Sequence, residues 1–166
     1  MDDIPINTPT FNIAKIISDC PSLQRLVDLG VDLSRWEEND TNGDNMEIAL
    51  RLNFESEVKP RIQWLMDHGI DLERQAIMFT NNPKIFDKSF EEINKSIAYL
   101  KSKDFTTRNI KEILIRSDGK WLDYSVVDID SKLGYFQRNF ELIGNEVRQL
   151  TILEPCLILW AGVPFQ

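Results

Sequence analysis

An internal repeat with a period of 35 to 36 residues runs through most of this sequence. Apolar residues at the helical spacing i, i+4 and i+7 recur at that interval as Val58, Ile62 and Leu65, as Ile93, Ile97 and Leu100, and as Ile129, Leu133 and Phe136. A helix-breaking residue recurs with them, at Pro83, Gly119 and Pro155. Repeats in the range of roughly 20–50 residues are typical of solenoids, in which stacked units share one continuous core.

The middle repeat shows what each unit contains. Its first helix carries the apolar stripe that begins at Ile93, and a polar turn follows at Lys103–Thr107. Thr106 is placed to cap a second amphipathic helix, which Asp118-Gly119 ends, and Asp71 is placed to cap the second helix of the preceding repeat. A short apolar segment, Lys120–Leu122, closes the unit. Such a unit cannot bury its own apolar faces, so the sequence predicts an all-α fold in which neighbouring units pack together.

The domain organisation follows from this pattern. Residues 1–54 are predicted to form a lead-in and a degenerate capping repeat, since terminal repeats are usually atypical. Three repeats are predicted at 55–89, 90–125 and 126–161, so that residues 55–166 form the repeat region with a short C-terminal end. In the N-terminal part, Pro5 and Pro9 favour an extended lead-in, helices are predicted from Phe11 and from Pro21, and the polar stretch 37–45 is predicted to be a solvated loop.

The charge is unevenly distributed. The whole chain has a formal net charge of −8, which opposes nucleic-acid binding. Residues 1–83 carry 7 basic and 15 acidic side chains, whereas residues 84–148 carry 12 basic and 11 acidic ones. Residues 95–120 are the most basic part, with a net charge of +4. Such a run is either a solvated helix surface or part of an anion-binding surface.

Several classes of protein are disfavoured by what the sequence lacks. It contains two cysteines far apart and one histidine, with no phosphate-binding glycine loop, no nucleophile elbow and no metal-ligand spacing, so we expect neither an enzyme nor a bound cofactor or metal. The apolar residues 150–166 are interrupted by Pro155, Gly162 and Pro164 and are too short to span a membrane. The acidic start, Met1–Pro5, shows no import signal.

Three segments resemble the mitochondrial transcription termination factor (mTERF) family: Asn82–Phe86, Ile97–Phe105 and Leu133–Gln137. The resemblance covers roughly residues 52–155 and is greatest to the branch that regulates mitochondrial transcription and ribosome biogenesis. It implies a right-handed α-solenoid whose repeats of about 35 residues each contain two α-helices and one short 3-10 helix. It also implies a location in the mitochondrial matrix and a basic concave face that binds the nucleic-acid backbone.

Two hypotheses for function remain open at this level. The first is a regulator of mitochondrial gene expression that binds double-stranded DNA or structured RNA. Its predicted contact residues are Lys84, Arg108, Lys111, Arg116 and Lys120, with Arg138 and Arg148 continuing the path. The second is a helical-repeat scaffold that binds mitochondrial ribosomal or transcription proteins through its acidic or apolar surfaces, without touching nucleic acid. In either case we expect a monomer that does not bind membranes.

Overall fold

The computed structural model describes residues 13–161, and every regular element among them is helical. The prediction of an all-α fold is confirmed. The α-helices are α1 (Ile13–Asp19), α2 (Pro21–Asp28), α3 (Ser34–Glu38), α4 (Asp44–Arg51), α5 (Lys59–Asp67), α6 (Leu72–Asn81), α7 (Phe90–Ser102), α8 (Thr107–Arg116), α9 (Val126–Asn139), α10 (Gly144–Leu153) and α11 (Pro155–Trp160). A π-helical turn at Phe54–Val58 leads into α5, and 3-10 helices occupy Pro83–Asp87 and Lys120–Asp123. No helix within the described part of the chain is long and apolar enough to cross a membrane.

Four of the longer helices begin at capping residues. The side chains of Asp71, Ser89, Thr106 and Ser125 each accept a hydrogen bond from the backbone amide three residues further on. Caps of this kind stabilise a helix by about 1 kcal/mol, because they satisfy an amide that has no partner inside the helix. The caps predicted at Asp71 and Thr106 are confirmed.

From α5 onward the elements repeat in one order. Two longer helices are followed by one short helix, and this group occurs three times. Pro83 and Pro155 each open the short helix, where the missing amide costs nothing. The third short segment was expected to be a 3-10 helix, and that detail is wrong. This segment is the α-helix α11. Pro155, Ile158 and Leu159 are buried, and their i, i+3, i+4 spacing places them on one side of an α-helical turn.

Gly119 stands where the other two units have proline, for two reasons. Its backbone has φ +75°, a left-handed conformation that residues with a side chain adopt at a cost. A Cβ atom built on Gly119 would also lie 3.1 Å from Ile85 Cδ1 and 3.2 Å from Met78 Cε. Glycine at this position therefore avoids both the strain of a left-handed backbone and crowding against two side chains of the preceding unit.

The hydrophobic core is continuous from α2 to α11. Two fully buried tryptophans tie distant segments together through their indole nitrogens. Trp36 Nε1 donates to the Phe79 carbonyl at 2.8 Å, and Trp121 Nε1 donates to the Pro155 carbonyl at 3.0 Å. Each bond satisfies a donor and an acceptor that would be costly to bury unpaired.

The N-terminal part differs from its prediction in one place. The stretch 37–45 is not simply a solvated loop, because α3 extends into it and α4 begins within it. The carboxylate of Asp40 accepts hydrogen bonds from the backbone amides of Asn45 and Met46, both at 3.1 Å, and so caps α4 from four residues upstream of its start. The predictions made for Pro5, Pro9, Phe11, Gly162 and Pro164 fall outside the described residues.

Candidate nucleic-acid interface

An open groove with a volume of about 860 Å³ runs beside the short helices. It is bordered by α4, by the two 3-10 helices and by α11, so that elements from four separate parts of the chain contribute to it. Its lining consists of Asp44, Glu47, Ile48, Arg51, Lys84, Asp87, Lys88, Lys120, Asp123, Tyr124, Cys156, Leu159 and Trp160. We refer to this surface as the groove.

Two of the predicted contact residues, Lys84 and Lys120, lie in the groove. Each directly follows a helix-breaking residue, so they hold the same position in successive units. Both side chains are exposed, and neither forms an ion pair within 4.0 Å among the described residues. Their ammonium groups are therefore available to an anionic ligand. Cys156 holds the corresponding position after Pro155 and also lines the groove.

Acidic side chains balance these lysines. The groove contains four basic residues, Arg51, Lys84, Lys88 and Lys120, and four acidic ones, Asp44, Glu47, Asp87 and Asp123. Arg51 is engaged, since its guanidinium pairs with Asp87 and, at 3.3 Å, with Glu57. A phosphate backbone would thus meet the lysines in a groove with no formal net charge.

Asp123 is the most buried carboxyl group of the groove. Burial raises its pKa from 3.8 to about 6, against the opposing effects of a hydrogen bond with Asn82 and the nearby charges of Lys88, Lys84 and Lys120. Its Oδ1 atom is buried and has no hydrogen-bond partner within the described residues. An ionised Asp123 next to these lysines competes with an incoming phosphate, because both are anions that the same ammonium groups stabilise.

Arg116, another predicted contact residue, has a structural partner. Its Nη1 atom donates to the carbonyl oxygens of Ile152 and Leu153, both at 3.2 Å, and its Nε atom pairs with Glu112 at 3.4 Å. These two carbonyls belong to the last turn of α10, where backbone acceptors lack helical partners. The guanidinium therefore caps α10 from the neighbouring unit.

The remaining predicted residues lie elsewhere. Lys111 is half-buried, and its side chain covers Gly69. Arg108 is exposed on the first turn of α8. Arg138 and Arg148 line a second pocket, which shares no residue with the groove. The seven predicted residues are thus divided among the groove, the second pocket and the surface of α8.

The sequence-based selection missed Lys88, which is half-buried and lines the groove beside Lys84. The two lysines are four residues apart, at either end of one short segment. The repeat pattern did not point to Lys88, because Tyr124 holds the corresponding position one unit later. The four-residue spacing between Lys84 and Lys88 within one segment is the sequence signal that points to Lys88, whereas the spacing between repeats is not.

These features define a class of protein: residues 13–161 form a helical fold with an open groove lined by charged side chains. Within residues 13–161 no group of three or more histidine, cysteine, aspartate or glutamate side chains could hold a metal ion. A surface of this shape suits an extended charged partner better than a small apolar ligand, which binds in enclosed and mostly apolar pockets.

Curated proteins with similar sequences specify the class further. The chain is 36% identical to a fruit-fly (Drosophila melanogaster) protein over 154 residues, which are 93% of this chain and 42% of the relative. It is 32% identical to a mouse (Mus musculus) protein over 148 residues, 89% of this chain and 35% of the relative, and 33% identical to a rat (Rattus norvegicus) protein over 149 residues. All three are named mitochondrial transcription termination factor 3. No family model matches the chain.

The chain belongs to the mitochondrial transcription termination factor (mTERF) family. The resemblance found in the sequence is thereby confirmed, and the names of the relatives support the mitochondrial location that it implied. The chain spans about two fifths of the length of the fruit-fly relative and about one third of the mouse and rat relatives.

Proposed function

We propose that this chain is a nucleic-acid-binding regulator of mitochondrial gene expression, and that the groove is its contact surface. The observation that carries the proposal is the placement of Lys84 and Lys120 at equivalent positions of two short helices, beside Lys88 and without ion-pair partners among the described residues. The relatives' names, which describe transcription termination factors of mitochondria, support the process in which it acts.

The architecture we propose is a right-handed α-solenoid with three-helix repeats at 55–89, 90–125 and 126–161, preceded by a capping repeat that ends at residue 54. The three successive groups of two longer helices and one short helix support it. Stacking such units would bring their short helices to one side and would make the groove a common edge of the stack. Lysines at equivalent positions would then face the same length of nucleic-acid backbone.

The proposed binding is electrostatic and weakly sequence-specific. Ammonium groups contact phosphate oxygens, which position a protein on nucleic acid without reading the bases. Three lysines that displace condensed counterions from double-stranded DNA would give a slope of about −3 in a plot of log affinity against log salt concentration. The acidic side chains of the groove reduce the affinity, so we expect dissociation constants on the order of 10⁻⁴ to 10⁻⁶ M at physiological salt.

A titration with duplex DNA and with structured RNA, followed by fluorescence anisotropy at about 50 mM and about 200 mM salt, tests this proposal. The double variant K84Q/K120Q should bind roughly tenfold more weakly and should lower the magnitude of the salt slope by about 2. K59Q/K101Q is a charge-matched control, since both lysines are exposed and neither lines the groove. Absence of binding at low salt, or equal losses in the two double variants, would refute the groove as the site.

A protein-interaction scaffold is the second candidate, and two observations favour it. The groove has no formal net charge, and Leu153, Leu157 and Trp160 expose apolar surface near the end of the described chain. This alternative predicts binding to mitochondrial ribosomal or transcription proteins that varies little with salt, because apolar contacts are not screened by ions. L157S/W160S should weaken such binding, and K84Q/K120Q should leave it unchanged.

A further inference from the structure

A second pocket, with a volume of about 600 Å³, lies where α7, α9 and α10 meet. Its lining consists of Tyr99, Ser102, Lys103, Asp104, Phe105, Val127, Asp130, Ser131, Leu133, Gly134, Gln137, Arg138, Gly144, Val147 and Arg148. None of these residues lines the groove. The volume is that of a small-molecule site, but polar and charged side chains are more frequent here than in an ordinary apolar pocket.

Two arginines reach this pocket in the same way. Arg138 follows Gly134 by four residues on α9, and Arg148 follows Gly144 by four residues on α10. Helical side chains lean toward the N-terminus of their helix, so a residue covers the position four before it. The Nη1 atom of Arg138 lies 3.1 Å from where a Cβ atom on Gly134 would stand, and Nη1 of Arg148 lies 3.7 Å from the corresponding point on Gly144. Gly134 thus leaves room for the Arg138 guanidinium group, and the Arg148 guanidinium lies at ordinary contact distance from Gly144.

Neither guanidinium is neutralised by a carboxylate. Within the described residues no acidic oxygen lies within 4.0 Å of Arg138 or Arg148. Arg148 donates one hydrogen bond, to Asn145 Oδ1 at 3.3 Å. Lys103 adds a third positive charge at the pocket, with its Nζ atom 5.6 Å from the centre of the Tyr99 ring. We refer to Lys103, Arg138 and Arg148 as the cation cluster. Most of its N–H donors form no hydrogen bond within the described residues.

The acidic residues of the pocket do not cancel the cation cluster. Asp104 and Asp130 are the two carboxylates in the lining, against three cations. The Asp130 Oδ1 atom accepts a hydrogen bond from the hydroxyl of Tyr99, which also lines the pocket, at 2.7 Å. Burial and this hydrogen bond raise the pKa of Tyr99, so that the hydroxyl remains a neutral donor to Asp130. The pocket keeps a net positive charge of one.

We propose that this pocket binds a phosphate group between Arg138 and Arg148, as an anion site separate from the groove. Guanidinium groups bind phosphate through paired, charge-assisted hydrogen bonds, and two of them on different helices can hold one phosphate from two directions. The phosphate belongs to inorganic phosphate, to a free nucleotide or to a nucleic-acid strand, since these three share the recognised chemistry. The inference rests on the residues of this pocket and not on the proposed function of the groove.

The test is an NMR titration of the ¹⁵N-labelled chain, at constant ionic strength, with inorganic phosphate, AMP and a short single-stranded oligonucleotide in turn. We expect saturable shifts of the Gly144 and Asn145 amides, and a dissociation constant at least tenfold higher in R138Q/R148Q. Tighter binding of AMP or of the oligonucleotide than of inorganic phosphate would identify the source of the phosphate. Shifts that do not saturate, or that persist in R138Q/R148Q, would overturn the proposal.

Two further variants separate binding from folding and from the groove. G134A/G144A keeps both positive charges and favours the helices, but a methyl group at residue 134 would lie only 3.1 Å from Arg138 Nη1 and displaces that guanidinium group, whereas the 3.7 Å at residue 144 is ordinary contact. It should bind phosphate severalfold more weakly while its melting temperature is unchanged or higher. K84Q/K120Q should bind phosphate as the unaltered chain does. Unaltered binding by G134A/G144A, or loss of binding in K84Q/K120Q, would contradict the assignment to this pocket.

Discussion

Asn82 and Asp118 join the ends of two successive helical units. The buried Asn82 side chain donates a hydrogen bond from Nδ2 to the Asp118 carbonyl at 3.1 Å, and its proximity opposes the rise in the pKa of Asp123. Asn82 directly precedes the first 3-10 helix, and Asp118 stands just before the second. One amide group therefore fixes the position of two adjacent short helices, both of which line the groove.

Replacing Asn82 by alanine should destabilise the chain by about 1–3 kcal/mol, because it leaves the partly buried Asp118 carbonyl without its donor. Urea unfolding followed by circular dichroism would measure the change. Asn81→Ala is a close control, since Asn81 also donates to Asp118, at 3.2 Å, but on the exposed surface. It should change the free energy of unfolding by less than about 0.5 kcal/mol. Equal effects of the two substitutions would contradict the role assigned to Asn82.

Gly119→Ala should destabilise the chain by more than Gly43→Ala does. Both glycines have positive φ, +75° and +81°, so both substitutions carry the strain of a left-handed backbone, on the order of 1 kcal/mol. Only Gly119 has neighbours, since nothing lies within 4 Å of a Cβ atom on Gly43. The difference between the two melting temperatures therefore isolates the crowding against Ile85 and Met78. Identical losses would show that Ile85 and Met78 move aside without cost.

Asp123 should make stability depend on pH. Because burial raises its pKa in the folded chain to about 6, above the ordinary 3.8, folding favours the protonated form. That contribution is fully present below about pH 4 and is lost as the pH rises through about 6. The side chain of Asp123→Asn is neutral at every pH. As the pH rises from about 4 to about 6, this variant should therefore become more stable relative to the unaltered chain. Above about pH 6 the difference in the free energy of unfolding should be on the order of 1–3 kcal/mol.

Urea unfolding at steps between about pH 4 and about pH 7 would measure the gap between Asp123→Asn and the unaltered chain. Asp28→Asn removes an exposed carboxyl at the end of α2 and serves as the control for the loss of one charge. The change in the Asp28→Asn gap over the same interval is subtracted from the change in the Asp123→Asn gap. A gap for Asp123→Asn that stays constant with pH would contradict the burial of an ionisable Asp123.

Local chemistry determined which helix starts could be predicted from the sequence. Asp71 and Thr106 cap helices that begin immediately after them, and such caps depend only on a few neighbouring residues. The cap of α4 was missed because Asp40 reaches it across a turn, from within a stretch whose polar composition suggested only a loop.

Tertiary packing determines which of the predicted contact residues share a surface. The sequence predicts Lys84, Lys120 and Arg116 together, as basic residues along one path. Lys84 and Lys120 both lie in the groove, whereas the Arg116 guanidinium binds carbonyls that are 36 and 37 residues away in the sequence. The four-residue intervals before Arg138 and Arg148 are visible in the sequence, but only the packing of α9 on α10 brings the two arginines to one pocket.

Cys156 follows the third helix-breaking residue, at the position that Lys84 and Lys120 hold in the two preceding units. A lysine can therefore be introduced there to increase the positive charge of the groove. Its side chain is exposed, and its thiol forms a weak hydrogen bond with the Arg116 carbonyl at 3.9 Å. Cys156→Lys would place an ammonium group after each of the three breaks, and should raise affinity for a polyanion and steepen its salt dependence by about one unit. Unfolding or misfolding of the variant cannot account for a higher affinity, so such an increase would be direct evidence that the groove binds the polyanion.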